Sequence, residues 1–153
     1  MLVLLPMLTA LVGGASAFSS GNVGWACGTM NPGHLFQSAE RSPSPFEVYA
    51  EEYQDGYYLV TVFGRNDRFK GLLMQAQDPR DQIVGVFVQA EGGQLLDCSY
   101  EGGAVSHKDG NPKSQIRAVW HPNGYTGPLK FKATIVKSYG TFWTNVLSNP
   151  LNV

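Results

Sequence analysis

The chain has 153 residues, of which 43% are apolar, 12% aromatic and only 15% charged, with a formal net charge of -1. That composition is too apolar and too sparsely charged for a disordered chain; with no break dividing it in two, it suits one packed core. The near-neutral balance excludes a molecule whose whole surface attracts nucleic acid or an acidic membrane, so a charged partner has to meet a local patch.

Residues 1–17 are an uncharged apolar run that stops at Ala15-Ser16-Ala17, the small-x-small pattern of signal cleavage. They are expected to be a signal peptide, with 18–153 as a single mature domain that is secreted and extracellular. A membrane anchor is the alternative, but an apolar run of roughly a dozen residues falls short of the about 20 that cross a bilayer. No later segment is long and apolar enough either, so no integral membrane segment is expected after cleavage. No Lys or Arg precedes the apolar stretch, which departs from the usual signal pattern. Two cysteines follow, Cys27 and Cys98. In an oxidising compartment an even count argues for a bridge, two buried free thiols being the alternative. The bridge would close a loop of about 70 residues and stabilise the fold by about 4 kcal/mol in the chain-entropy model. There is no Asn-x-Ser/Thr sequon.

From Phe18 to Pro45 the chain is rich in Gly, Ser and Pro and keeps no period of 2 or 3.6, which predicts an ordered loop tied down near Cys27. Beyond it, short β-branched and aromatic stretches bounded by turn residues predict about eight strands. These cover residues 46–50, 57–63, 69–76, 83–89, 95–100, 114–120, 129–137 and 142–147. In the stretch from Lys130 to Ile135, Phe131, Ala133 and Ile135 share one face while Lys130, Lys132 and Thr134 share the other. Ile116, Ala118 and Trp120 repeat the scheme. One dry and one wet face fits antiparallel sheets, because a parallel sheet covered on both sides reads as continuous apolar runs between helices. Glu91-Gly92-Gly93 and Glu101-Gly102-Gly103 are expected as turns flanking the strand that carries Cys98. The fold class is therefore all-β, an immunoglobulin-like antiparallel β-sandwich, with a closed barrel as runner-up.

The search for chemistry returns little. No serine lies in a Gly-x-Ser-x-Gly elbow, so no catalytic residue is assigned. His34, His107 and His121 have no partners at zinc-ligand spacing and are expected as hydrogen-bonded loop histidines. The acidic clusters Glu51, Glu52 and Asp55, and Asp78 and Asp81 beside Arg80, match no calcium loop. No metal and no cofactor are assigned. Basic residues offer more: Arg65, Arg68 and Lys70 bracket Phe69, and Lys130, Lys132 and Lys137 approach Tyr139 in sequence. Such patches can hold sulfated sugars or lipopolysaccharide phosphates, although alternating lysines also guard sheet edges and faces. Trp25, Trp120 and Trp143 offer stacking surfaces or core packing.

The order of features is more specific than any one of them. Cys27 is followed by Met30, Pro32 and His34, then Ser42-Pro43-Ser44-Pro45, then Phe69-Lys70-Gly71-Leu72-Leu73-Met74-Gln75-Ala76. Gly85-Val86-Phe87, Leu96-Asp97-Cys98, Ser106-His107, Ala118-Val119-Trp120, the stretch from Gly127 to Val136, and Phe142-Trp143 complete the series. In this order the chain resembles the reeler domain family over essentially its whole mature length. The resemblance implies an immunoglobulin-like sandwich with Cys27 bonded to Cys98. Many relatives carry further cysteines, whereas here only the central pair is present. Reeler domains stand at the head of matrix proteins of the reelin and spondin kind, in ferric-chelate reductase-like membrane proteins, and alone in small invertebrate defence proteins. The sequence holds no cytochrome-like helices and no repeats, so the stand-alone type is expected, with its links to microbial recognition, nodulation and antibacterial responses. The expectation is a secreted, non-enzymatic innate-immune protein that binds lipopolysaccharide, lipoteichoic acid or glucans through Arg65, Arg68, Lys70, Lys130 and Lys132, and not nucleic acid. The first alternative is a matrix or cell-surface module that binds glycosaminoglycans; the second is a part of a ferric-chelate-reductase-like system.

Overall fold

Strands with one dry face bury it only by facing a second such layer, and the chain folds accordingly into two packed antiparallel sheets. The computed structural model describes residues 19–34 and 37–153; the expected signal peptide at 1–17 lies outside them. Ten strands occur among the described residues: β1 (Phe46–Gln54), β2 (Tyr57–Gly64), β3 (Gly71–Gln77), β4 (Val86–Glu91), β5 (Gly93–Cys98), β6 (Tyr100–His107), β7 (Gln115–His121), β8 (Pro128–Ser138), β9 (Thr141–Leu147) and β10 (Leu151–Asn152). One sheet runs β1-β2-β7-β4; the other runs β10-β8-β3-β6-β5, with β9 also paired to β8. The all-β sandwich expected from the sequence is what forms.

The core follows the alternation. Ile116, Ala118 and Trp120 of β7 and Phe131, Ala133 and Ile135 of β8 are wholly buried. Trp120 and Phe131 meet edge to face across the sandwich, centroids 5.4 Å apart. The indole N–H donates to the Val84 carbonyl at 3.2 Å. Gly85 lies against the same ring, where an added Cβ would stand 2.0 Å from the indole. Phe46 closes the far end, edge-on to Phe69 and to Trp143.

All eight expected strands are present with shifted ends. Phe69 and Ile83, expected inside strands, make only isolated bridges to Lys113 and Gln77. Two strands were not foreseen. β10 has two residues, too few to leave a pattern. β6 contains Gly102-Gly103, expected as a turn, whereas the reversal after Cys98 falls on Ser99 with φ 70°. The two glycines instead admit close neighbours: a Cβ on Gly102 would stand 2.3 Å from the Phe87 carbonyl oxygen, and one on Gly103 2.1 Å from that of Cys98.

β1 is a sheet edge, and the outward backbone groups of two of its residues are taken up by side chains. The Ser44 hydroxyl accepts from the Phe46 N–H and donates to the Phe46 carbonyl. The Asn149 amide does the same for Ala50, at 2.9 Å in each direction. Positions 46 and 50 are thereby closed to a foreign strand, which breaks the row that Val48 and the residues beyond Ala50 would otherwise continue. Asn149→Ala is expected to cost about 1–3 kcal/mol by leaving two part-buried groups unpaired. Thermal unfolding measures that loss, and light scattering at raised concentration should show association that the parent protein lacks.

Candidate functional site

All seven residues of β3 are buried, although an antiparallel strand ordinarily wets one face. Leu72, Met74 and Ala76 point into the sandwich; Gly71, Leu73, Gln75 and Gln77 point outward and are buried because residues 19–34 cross the outer face of the larger sheet as a strap. Val23, Ala26 and Met30 of the strap form a second apolar cluster with Leu73, Leu96, Cys98 and Ala104, separate from the main core. The Cys27–Cys98 disulfide ties strap to β5, with Cα atoms 5.7 Å apart.

Polar side chains of the sheet fasten the strap along its length. Gln94 Nε2 donates to the Ser20 carbonyl at 2.7 Å, Ser106 Oγ to that of Gly21 at 2.8 Å, and Gln75 Nε2 to that of Cys27 at 2.7 Å. Thr134 Oγ1 donates to the Met30 carbonyl. Thr134, placed on the wet face from sequence, is therefore buried, because the strap lies over that part of β8. At the far end His34 Nδ1 lies 2.6 Å from the Tyr139 carbonyl, which can only accept, so that nitrogen carries the proton. The His34 ring stacks on Tyr139, centroids 4.4 Å apart. His107 and His121 are likewise held: the Leu72 N–H donates to His107 Nδ1 and the Asn123 N–H to His121 Nδ1. His107 and His121, expected in loops, belong to β6 and β7. Among the described residues no three His, Cys, Asp or Glu side chains converge to hold a metal.

Beside the strap lies a cavity of about 230 Å³ with a mainly apolar lining. Val23, Met30 and Pro32 of the strap face Leu73, Val136 and Tyr139 across it, and the exposed Lys70 also lines it. Lys113 shapes this end of the molecule. Its ammonium donates to the carbonyls of Lys70, Asp109 and Asn111 at 3.0, 3.0 and 2.6 Å and faces the Asp109 carboxylate at 3.6 Å. Burial lowers its pKa below the ordinary lysine value, and the Asp109 charge opposes that shift. Neither Lys113 nor the strap wall was singled out from sequence. The one available clue was a cysteine inside an aperiodic Gly/Pro-rich stretch, which marks a loop pinned onto the fold.

The five basic residues expected to bind do not converge on one patch. Arg65 is exposed and pairs with Glu47 at 3.4 Å. Arg68 is exposed, and it forms no ion pair among the described residues. Lys70 lines the cavity. Lys130 and Lys132 lie at the other end of the sheet, opposite Gln77 and Gln75, where with Leu147 and Leu151 they line a second cavity of about 430 Å³. Lys70 donates its backbone N–H to Val136, six residues along β8 from Lys130, or about 20 Å at 3.3 Å per residue. Lys137 is not part of either group, since it pairs with Asp67 at 2.9 Å. Of the tryptophans, Trp120 and Trp143 are core, and Trp25 on the strap is 51% exposed.

Solved structures share this architecture. A human F-spondin reeler domain superposes with a TM-score of 0.61 over 77% of this chain and 94% of that one, at 19% identity. Among sequences, the "Putative defense protein" of Bombyx mori is 36% identical over 84% of this chain and 81% of its own. Defense protein l(2)34Fc of Drosophila melanogaster is 28% identical over 98% of both. Ferric-chelate reductase 1 of Bos taurus is 31% identical over 84% of this chain but only 23% of that protein. The Reeler domain model matches residues 25–153, from the middle of the strap to the C-terminal residue and including both bridged cysteines, and the chain belongs to the Reeler domain family.

Proposed function

We propose that this is a secreted, non-enzymatic defence protein that binds anionic amphiphiles of microbial surfaces, lipopolysaccharide and lipoteichoic acid among them. The observation that carries the proposal is an apolar cavity with a lysine in its wall: an acyl chain gains by leaving water for such a cavity, and the phosphate of its headgroup gains from Lys70. Relatives named as defense proteins along nearly the whole chain support the role, and a disulfide suits an oxidising, extracellular setting. The match to the bovine reductase spans 23% of that protein and gives no ground for assigning its activity here.

Binding to lipopolysaccharide and to lipoteichoic acid is expected to weaken as salt rises, and Lys70→Glu to weaken it roughly tenfold, about 1.4 kcal/mol. Titration of the purified protein in low and high salt measures both. Salt-independent binding that Lys70→Glu leaves unchanged would sink the assignment. A second reading, a matrix module for sulfated glycans, is favoured by Lys130 and Lys132, which are without an ion pair among the described residues. Lys130→Glu with Lys132→Glu should then abolish retention on heparin while leaving the lipid ligands bound.

A further inference from the structure

We propose that the Cys27–Cys98 disulfide is an openable latch: a dithiol reductant releases the strap while the sandwich stays folded. The strap's backbone hydrogen bonds to other backbone groups, from Val23 to Gly21, Ala26 to Val23, Cys27 to Gly24 and Met30 to Ala26, stay within it, apart from the Gln37 N–H that donates to the His34 carbonyl at its end. Among the described residues no backbone ladder joins residues 19–34 to a strand; side-chain hydrogen bonds, apolar contact and the bridge hold them. The apolar residues the strap covers form a cluster apart from the main core, so its departure leaves the contacts around Trp120 and Phe131 in place.

The two cysteines are presented unequally. Cys98 is 1% exposed, whereas Cys27 is half-buried. Trp25 two residues before it is 51% exposed, and an added Cβ on Gly28 beside it would meet nothing within 4 Å. An incoming thiolate therefore reaches Cys27 and displaces Cys98. Gln75 Nε2 stands 4.0 Å from Cys98 Sγ, a buried N–H donor aimed at the sulfur on which charge develops.

The exchange balances. One thiolate of the reductant attacks Cys27 Sγ, the S–S bond breaks, and Cys98 leaves with the electron pair and takes up a proton. The second thiol of the reductant, as thiolate, attacks the mixed disulfide, which frees Cys27 as a thiol and leaves the reductant as its own disulfide. Two electrons and two protons pass to the protein. The cavity beside the strap then loses the wall made by Val23, Met30 and Pro32. This inference uses the cavity of the proposed site but is tested without a ligand, so a failure to bind lipid leaves it standing.

The test treats the oxidised, folded protein with dithiothreitol without denaturant, counts thiols by alkylation, and follows far-ultraviolet circular dichroism and chymotrypsin cleavage after Trp25. Cys27→Ser with Cys98→Ala serves as a permanently open form. Reduction is expected to proceed with the strand spectrum and a cooperative unfolding transition retained, while cleavage after Trp25 speeds at least tenfold in both reduced and variant proteins. Three results would overturn the latch: a bridge that resists the dithiol until the protein is denatured, loss of the strand spectrum on reduction, or free thiols with an unchanged cleavage rate.

Discussion

Trp120→Ala is expected to destabilise the fold by about 3–5 kcal/mol, the range for removing a large buried aromatic. The indole is wholly buried, its edge meets Phe131, and Tyr58 packs on it with centroids 5.9 Å apart. Its N–H is a hydrogen-bond partner of the Val84 carbonyl, so truncation adds an unpaired acceptor to a cavity. Gly85 has no side chain with which to fill the space. Against the ~5–15 kcal/mol that a domain typically has, the loss takes up much of the margin. Urea denaturation should show a lowered midpoint with an unchanged slope; a loss under about 1 kcal/mol would mean that the two sheets do not meet at this ring.

Gly102→Ala is expected to cost about 2–5 kcal/mol, from two separable sources. The backbone there has φ of +79°, which an L-residue adopts at about 1–2 kcal/mol. The new methyl would also stand 2.3 Å from the Phe87 carbonyl oxygen and 2.8 Å from Val86, forcing β4 and β6 apart, a crowding that usually costs about 1–3 kcal/mol. Gly56→Ala is the internal control, since its φ of +83° is similar and nothing lies within 4 Å of the added methyl. Thermal unfolding of the two variants should place Gly102→Ala clearly below Gly56→Ala; equal losses would show that crowding contributes nothing.

These positions also mark what a sequence can reveal. Phe131, Ala133 and Ile135 alternate with Lys130 and Lys132 because one face of β8 meets the other sheet and the other meets water, and that pattern needs no partner to be read. Thr134 breaks the scheme because a segment about a hundred residues earlier in the chain covers it, and local periodicity carries no record of such a cover. Gly102-Gly103 reads as a turn because flexibility and close approach use the same residue; only Phe87 and Cys98, brought near by the fold, tell them apart. The basic residues show the limit most plainly. Lys70 and Lys130 read alike on composition alone, yet the fold holds them at opposite ends of a sheet. Arg65 and Lys137 spend their charge on Glu47 and Asp67. The cavity was out of reach altogether, since its two walls come from an aperiodic loop and from three strands of the larger sheet.

The stoppered rim of β1 has a bearing on crowding. Wherever copies of a protein meet at high concentration, an open sheet margin templates fibre growth. With Ser44 and Asn149 occupying the main-chain groups of Phe46 and Ala50, a neighbouring copy meets this margin without a continuous row of free groups on which to extend the sheet.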